Sequence, residues 1–257
     1  MTAMFGLSNV TVRFGGVRAL DNFSMDVAPG NIHALIGPNG AGKSTVLNCV
    51  SCFTRPHQGD IVFDGRSIMS LSPHAIPGLG IARTFQNIEL CQRMTVLENV
   101  LVGMMPRVPR YFPFLPGRLR ARAEAEAVRE AHELIERVGL AEFRDTLAEE
   151  LDFGRQKTLD LARALASRPR LIFLDEPAAG LRNREIARLD ALLVDLARSQ
   201  SLTVVLIEHV MELVMSVADR ITVLNFGQKI AEGSPSQVRA DPVVIEAYLG
   251  AEDDAHA

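Results

Sequence analysis

Ile32-His-Ala-Leu-Ile36 runs straight into Gly37-Pro38-Asn39-Gly40-Ala41-Gly42-Lys43-Ser44-Thr45, and Val46-Leu-Asn-Cys-Val50 follows. The first run is a short apolar strand, the second a glycine-rich loop, and Ser44 to Val50 reads as a helix. The loop fits G-x-x-x-x-G-K-[ST] in the strand-before, helix-after setting that gives this pattern its chemistry. Its glycines let successive N–H groups turn inward around phosphate oxygens, and the helix dipole adds positive potential at the same point. Lys43 supplies a mobile charge for β- and γ-phosphates, and Ser44 offers a hydroxyl to Mg²⁺. Gly37, Asn39, Gly40, Ala41, Gly42, Lys43, Ser44 and Thr45 form the candidate ATP-binding set.

Two further apolar runs point to the same edge of a sheet. Leu171-Ile-Phe-Leu174 ends on Asp175-Glu176, and carboxylates at a strand's carboxyl end stand where open α/β sheets bind ligands. Asp175 is expected to hold the metal and Glu176 to act as general base on the attacking water. Leu202 to Ile207 ends likewise on Glu208-His209. His209 is either a structural imidazole or a γ-phosphate sensor, since the ring can donate to phosphate and accept from water. Gln86, after the apolar run ending in Phe85, could reach Mg²⁺ or the water through its carbonyl oxygen.

Strands alternating with helices imply an α/β fold with a mainly parallel sheet. Before it, Val10, Val12 and Phe14, then Phe23, Met25 and Val27, alternate as in half-buried strands, which predicts an N-terminal antiparallel β subdomain. Between Glu89 and Glu150 strand-like runs vanish, and Ala121 to Val138 reads as an amphipathic helix rich in Ala, Glu and Arg. The expectation is one domain, with a core over about 1–88 and 166–257 and an inserted α-helical subdomain over about 89–165. Within the insert, Pro106 to Gly117, rich in Pro and aromatics, predicts an irregular excursion, and the acidic tail after Gly250 is expected to fray.

Composition narrows the function classes. A net charge of −4 gives no basic field for nucleic acid or anionic lipid. No long uninterrupted apolar stretch and no secretory leader is visible, so the chain is expected in the cytoplasm, meeting a membrane through a protein partner. Cys49 and Cys52 have redox or zinc spacing, but no second pair completes a site, and both are read as packing residues on a buried helix.

With these residues in view, the chain resembles the ATP-binding-cassette (ABC) ATPases. The phosphate loop, Gln86, Leu151-Asp-Phe-Gly-Arg-Gln156, the 171–176 strand and His209 come in family order, and the resemblance covers nearly the whole chain. It implies a P-loop NTPase fold, with Phe14 stacking on adenine in place of the commoner Tyr. It also implies a sandwich dimer, in which each ATP lies between one subunit's loop and the signature segment of its partner: Asp152, Phe153, Gly154, Arg155 and Gln156.

A narrower likeness rests on Arg83-Thr-Phe-Gln-Asn87, Met94-Thr-Val-Leu-Glu-Asn99, Asp175-Glu-Pro-Ala-Ala-Gly-Leu181, Ile207-Glu-His209 and Ala247-Tyr-Leu-Gly250. These segments are similar to those of branched-chain amino acid importer ATPases. That implies a subunit at the cytoplasmic face of the inner membrane, paired with a second, identical or different ABC ATPase. Two integral membrane permease subunits and, indirectly, a periplasmic or extracytoplasmic solute-binding protein would complete the system, and Ile88 and Leu90 either dock on the permease or pack inside the helical subdomain. Three departures stand out: Asp152 where Ser or Ala is usual, Arg155 where Gln is frequent, and Arg182-Asn183 where Asn-Pro is more usual. The rivals are an importer ATPase for another solute, a cassette that binds ATP with little turnover, and a soluble clamp on DNA or ribosomes. The clamp usually carries a coiled coil or second cassette, absent from this sequence.

Overall fold

Every residue of Ile32–Ile36, Thr203–Ile207 and all but the last of Leu171–Asp175 is buried, as parallel strands covered on both faces require. The computed structural model describes residues 3–107 and 117–254, with backbone alone from 249 onward. In it these runs are β3 (Ile32–Ile36), β7 (Leu171–Asp175) and β8 (Thr203–Ile207). They join β6 (Ile81–Arg83), β9 (Arg220–Asn225) and β10 (Gln228–Gly233) in one sheet of order β10-β9-β3-β8-β7-β6. All pairs are parallel except β9 with β10.

Pairing of Leu35 with Ile207 and of Ile207 with Asp175 brings three strand ends level. Gly37, Glu176 and Glu208, each at the start of the following segment, therefore emerge along one edge. This register, more than any single residue, assembles the site.

The N-terminal strands β1 (Phe5–Phe14) and β2 (Val17–Val27) form the expected antiparallel hairpin and join β4 (Gln58–Phe63) and β5 (Arg66–Ser67) in a second sheet. Its inner residues meet one face of the large sheet and α1 (Lys43–Val50) in a shared core, where Phe5 packs edge-on to Phe173 at 5.3 Å. Burying such side chains stabilises by roughly 1.5–3 kcal/mol each. The other face is covered by α5 (Asn183–Gln200) and α6 (Met211–Val217). The C-terminal α7 (Pro235–Arg239) and α8 (Pro242–Asp254) close the sheet beside β9.

Three helices, α2 (Val96–Gly103), α3 (Gly117–Arg137) and α4 (Phe153–Leu165), share a separate apolar cluster. The α4 helix also faces the large-sheet core through Leu161 and Leu165, so it belongs to both packings. The connection from Gln86 into this region is organised by Asn99, fully buried, whose amide donates to the carbonyls of Cys91, Met94 and Thr95 and accepts from Cys91 N–H.

Several local expectations change. Leu90, read as either docking on a permease or packing in the helical subdomain, is only 8% exposed in the helical cluster with Ile88 packed beside it, so it is a core residue. Cys52 lies beyond the end of α1 with φ 57°, not on the helix, whereas Cys49 is buried with its thiol pKa pushed up to about 12 by desolvation. The α8 backbone stays helical past Gly250, to Asp254. Of the Pro-rich excursion, 108–116 lies outside the described residues.

Candidate active site

The phosphate loop leaves β3 at Gly37 with φ 155°, where a β-carbon would stand 2.0 Å from the Leu224 carbonyl oxygen. Gly42, at φ 111°, is the N-cap of α1, and a β-carbon there would meet Ala19 O at 2.5 Å. Both positions admit only glycine, for lack of space as well as for backbone conformation. No side chain caps α1, so its first N–H groups keep their capacity for an anion. The Ala41 carbonyl, 2.9 Å from Gly227 N, fixes the loop against the turn joining β9 and β10.

Lys43 is buried, and its ammonium donates to Gly37 O at 2.6 Å and Pro38 O at 2.9 Å. Desolvation lowers its pKa, while Glu176 and Asp175 oppose the shift. Asn39, Gly40 and Ser44 are exposed at the crest of the loop, whereas Ala41 is buried and Thr45 half-buried.

Asp175 is anchored at its backbone and its carboxylate. Its N–H donates to Thr84 Oγ1 at 3.2 Å, and its Oδ2 accepts from Arg83 at 3.3 Å. The same guanidinium donates to Asn48 Oδ1 at 3.1 Å and Ser51 Oγ at 3.3 Å, and lies 4.8 Å from the Phe85 ring centre. Burial raises the Asp175 pKa, and Arg83 pulls it back.

Glu176 is the meeting point of the expected catalytic groups. Its Oε2 accepts from the Gln86 amide at 3.1 Å, and His209 Nδ1 stands 3.7 Å from its Oε1. Gln86 and His209 are both exposed, so the trio opens to solvent. Phe14, at the end of β1, is 54% exposed, a free aromatic face.

The signature segment occupies the start of α4. Asp152 is its N-cap and accepts from Arg155 N at 2.9 Å, while its other oxygen pairs with the Arg155 guanidinium. That guanidinium also lies 4.2 Å from the Phe143 ring centre. Phe153 is half exposed, and Gln156 turns inward to donate to Ala148 O at 3.0 Å.

Two residues escaped the sequence reading. Glu208, fully buried, accepts from the N–H groups of Ala178 at 2.6 Å, His209 at 2.9 Å and Val210 at 3.1 Å. It thereby ties the turn after Glu176 to the turn bearing His209, and bonds to a charged acceptor are the strong kind. Lys157, on α4, donates to the Glu176 carbonyl at 2.8 Å. An acid after an apolar strand and a lysine one turn into a helix were the available signals.

A family model described as ABC transporter matches residues 20–179, well over half of the chain, and a second, described as branched-chain amino acid ATP-binding cassette transporter, matches 228–254. The chain belongs to the ABC transporter family. This ABC chain is 43% identical over 248 residues to the high-affinity branched-chain amino acid transport ATP-binding protein BraF of Pseudomonas aeruginosa, spanning 95% of this chain and 96% of BraF. Identity to LivG of Escherichia coli, which carries the same description, is 40% over 251 residues, spanning 96% and 98%.

Among solved structures, an ATP-binding cassette of an ABC transporter in its ADP conformation matches with TM-score 0.84 and 31% identity, over 97% of this chain and 100% of that one. A dimeric cassette in a post-hydrolysis state with ADP and Pi matches with TM-score 0.76 and 27% identity, over 90% and 99%. As an ABC ATPase, the chain is a nucleotide-binding, ATP-hydrolysing subunit. Among the described residues no helix is long and apolar enough to cross a membrane.

Proposed function

We propose that this subunit energises an importer for branched-chain amino acids or related small solutes at the cytoplasmic face of the inner membrane. The observation that carries the solute class is the end-to-end likeness to BraF and LivG together with the C-terminal family match. Its partners would be a second ABC ATPase, identical or different, two integral membrane permease subunits and, indirectly, a periplasmic solute-binding protein. No nucleic acid enters this reading, and the net charge of −4 agrees with that.

In this reading the amides of Gly37 to Thr45 and the Lys43 ammonium bind the triphosphate, and Phe14 stacks on the adenine. The Ser44 hydroxyl, the Asp175 carboxylate and the Gln86 carbonyl are hard oxygen donors of the kind Mg²⁺ takes. Bound Mg²⁺ would neutralise charge building on the phosphoryl oxygens. Glu176 takes a proton from the attacking water at its carboxylate, and Gln86 orients that carboxylate. His209 donates to the γ-phosphate. Glu208 holds both turns still, so the base and the sensor keep their spacing.

Residues 152–156 would meet the ATP held by the partner subunit, and the similarity to a dimeric cassette bound to ADP and Pi supports pairing of two cassettes. The core over about 1–88 and 166–257 would bind ATP, and the helical subdomain over about 89–165 would carry the signature segment across. The test is the assembled transporter in vesicles. Turnover should rise when the binding protein is loaded with leucine, isoleucine or valine. Stimulation only by a chemically different solute would refute the solute class, and failure to copurify with any membrane protein would favour the soluble clamp.

A further inference from the structure

Glu176 sits in the left-handed region, at φ 49°. A residue with a β-carbon holds that conformation only when its surroundings fix it, and such residues cluster at functional sites. Three contacts fix the two peptide groups that flank the Glu176 α-carbon. The Glu176 N–H donates to Ile207 O at 2.9 Å, and its carbonyl accepts from Ala179 N at 3.2 Å. The third is the Lys157 ammonium, 2.8 Å from the same carbonyl oxygen.

The first two partners belong to the sheet edge and to the turn after Glu176. The third comes from α4, only two residues beyond Arg155 in the signature segment. Lys157 is half-buried, with its ammonium 5.5 Å from the centre of the Phe153 ring, and Glu208, Glu176, Asp160 and Asp175 all act on its charge. Amid these carboxylates it bonds to a main-chain oxygen. That choice holds a peptide plane and leaves the Glu176 carboxylate to Gln86.

We infer that Lys157 is a positioning residue for hydrolysis: it holds the left-handed Glu176 peptide that aims the carboxylate, and it makes that aim depend on where α4 sits. The inference deepens the proposed function and rests on its two readings, of Glu176 as the base and of 152–156 as the segment that meets the partner's ATP. Nucleotide bound by the partner then bears, through α4 and Lys157, on the alignment of this subunit's own base. The Lys157 bond to the Glu176 carbonyl is then a direct polar link between the two ATP sites, beside the apolar packing of α4 on the sheet core.

The test compares Lys157→Met, which keeps the stem and removes the charge, with Lys157→Arg in the assembled transporter. Lys157→Met should lower kcat by about ten-fold or more, the scale of a slightly misplaced catalytic group, while KM for ATP stays within about two-fold. Its Hill coefficient for ATP should fall towards unity, and Lys157→Arg should recover most of both losses. On a Glu176→Gln background, Lys157→Met should cause no further loss, because residues acting through one another are not additive. Unchanged kcat and cooperativity in Lys157→Met, or losses that multiply in the double variant, overturn the inference. If Lys157→Met does not fold, the Hill coefficient of a folded Lys157→Gln decides in the same way. Hydrolysis at the parental rate in Glu176→Gln alone would instead refute the reading of the base.

Discussion

The two helix N-termini assigned to ATP are built in opposite ways. The α1 helix begins at a left-handed glycine with no side-chain cap, and its loop crest is exposed. The α4 helix begins with a carboxylate already bonded to its own N–H, and a guanidinium balances that charge. An uncapped N-terminus keeps orphan donors and positive potential for an incoming anion, whereas a capped one has spent part of both. In the proposed dimer, the contrast would set binding strength on the phosphate-loop side and leave the signature side to set how readily the two subunits close.

The largest effect should follow from removing the charge at the open end. Lys43→Ala should weaken ATP binding by at least about a hundred-fold while the fold persists, because the principal cation at the β- and γ-phosphates is gone. Unchanged affinity in an ATP titration would show that α1 is not the binding end.

Glu176→Gln comes next. It should keep ATP affinity and lower turnover by about 10²–10⁴-fold, the usual worth of a positioned general base. The ATP-bound dimer should accumulate on a sizing column. Hydrolysis at the parental rate would pass the role of base to His209.

The strand beneath the open end gives a smaller, pH-dependent effect. His33, on β3, is buried with Nε2 2.8 Å from Thr222 Oγ1, and desolvation pushes its pKa down to about 4. Glu232 opposes that shift, while Arg220 and Lys229 add to it. The unfolded chain protonates near its ordinary value of 6.5, before the native ring does. Stability from this group is therefore complete above that pH and lost as pH falls through about 4, a change of roughly 2–4 kcal/mol. In urea melts between pH 7.5 and 4.5, His33→Gln should lose less stability than the parent. Equal losses would show that β3 does not sense acid.

The fold was legible because its signals are local. The phosphate loop, the alternating residues of β1 and β2 and the apolar runs of β3, β7 and β8 each name an element from a few neighbours. Glu176 and His209 lie just beyond the ends of β7 and β8, so their meeting follows from a parallel sheet, whereas Gln86 follows the three-residue β6. What escaped depends on distant partners. Glu208 is set by an N–H group 30 residues away, and Lys157 by a carbonyl on another element. Leu90 offered the same apolar character whether it faced a permease or the helical core, and only packing separates the two. For Cys52 the sequence carries no stop signal, because neither Gly nor Pro marks the end of α1 beside it.

The smallest effect bears most directly on the contrast between the helix ends. Asp152→Ser keeps a capping oxygen and removes the carboxylate, at a stability cost below about 1 kcal/mol. Arg155→Ala does the reverse, leaving the carboxylate unbalanced. The deciding measurement is ATP-dependent association and steady-state turnover of both variants, each assembled with the partner ATPase. Asp152→Ser should tighten association and raise turnover by about two- to ten-fold, the worth of relieving one exposed charge at a helix N-terminus, and Arg155→Ala should lower both. If Asp152→Ser leaves ATP affinity, association and turnover unaltered, its carboxylate does not face the partner's γ-phosphate, and the α4 terminus serves only to start its helix.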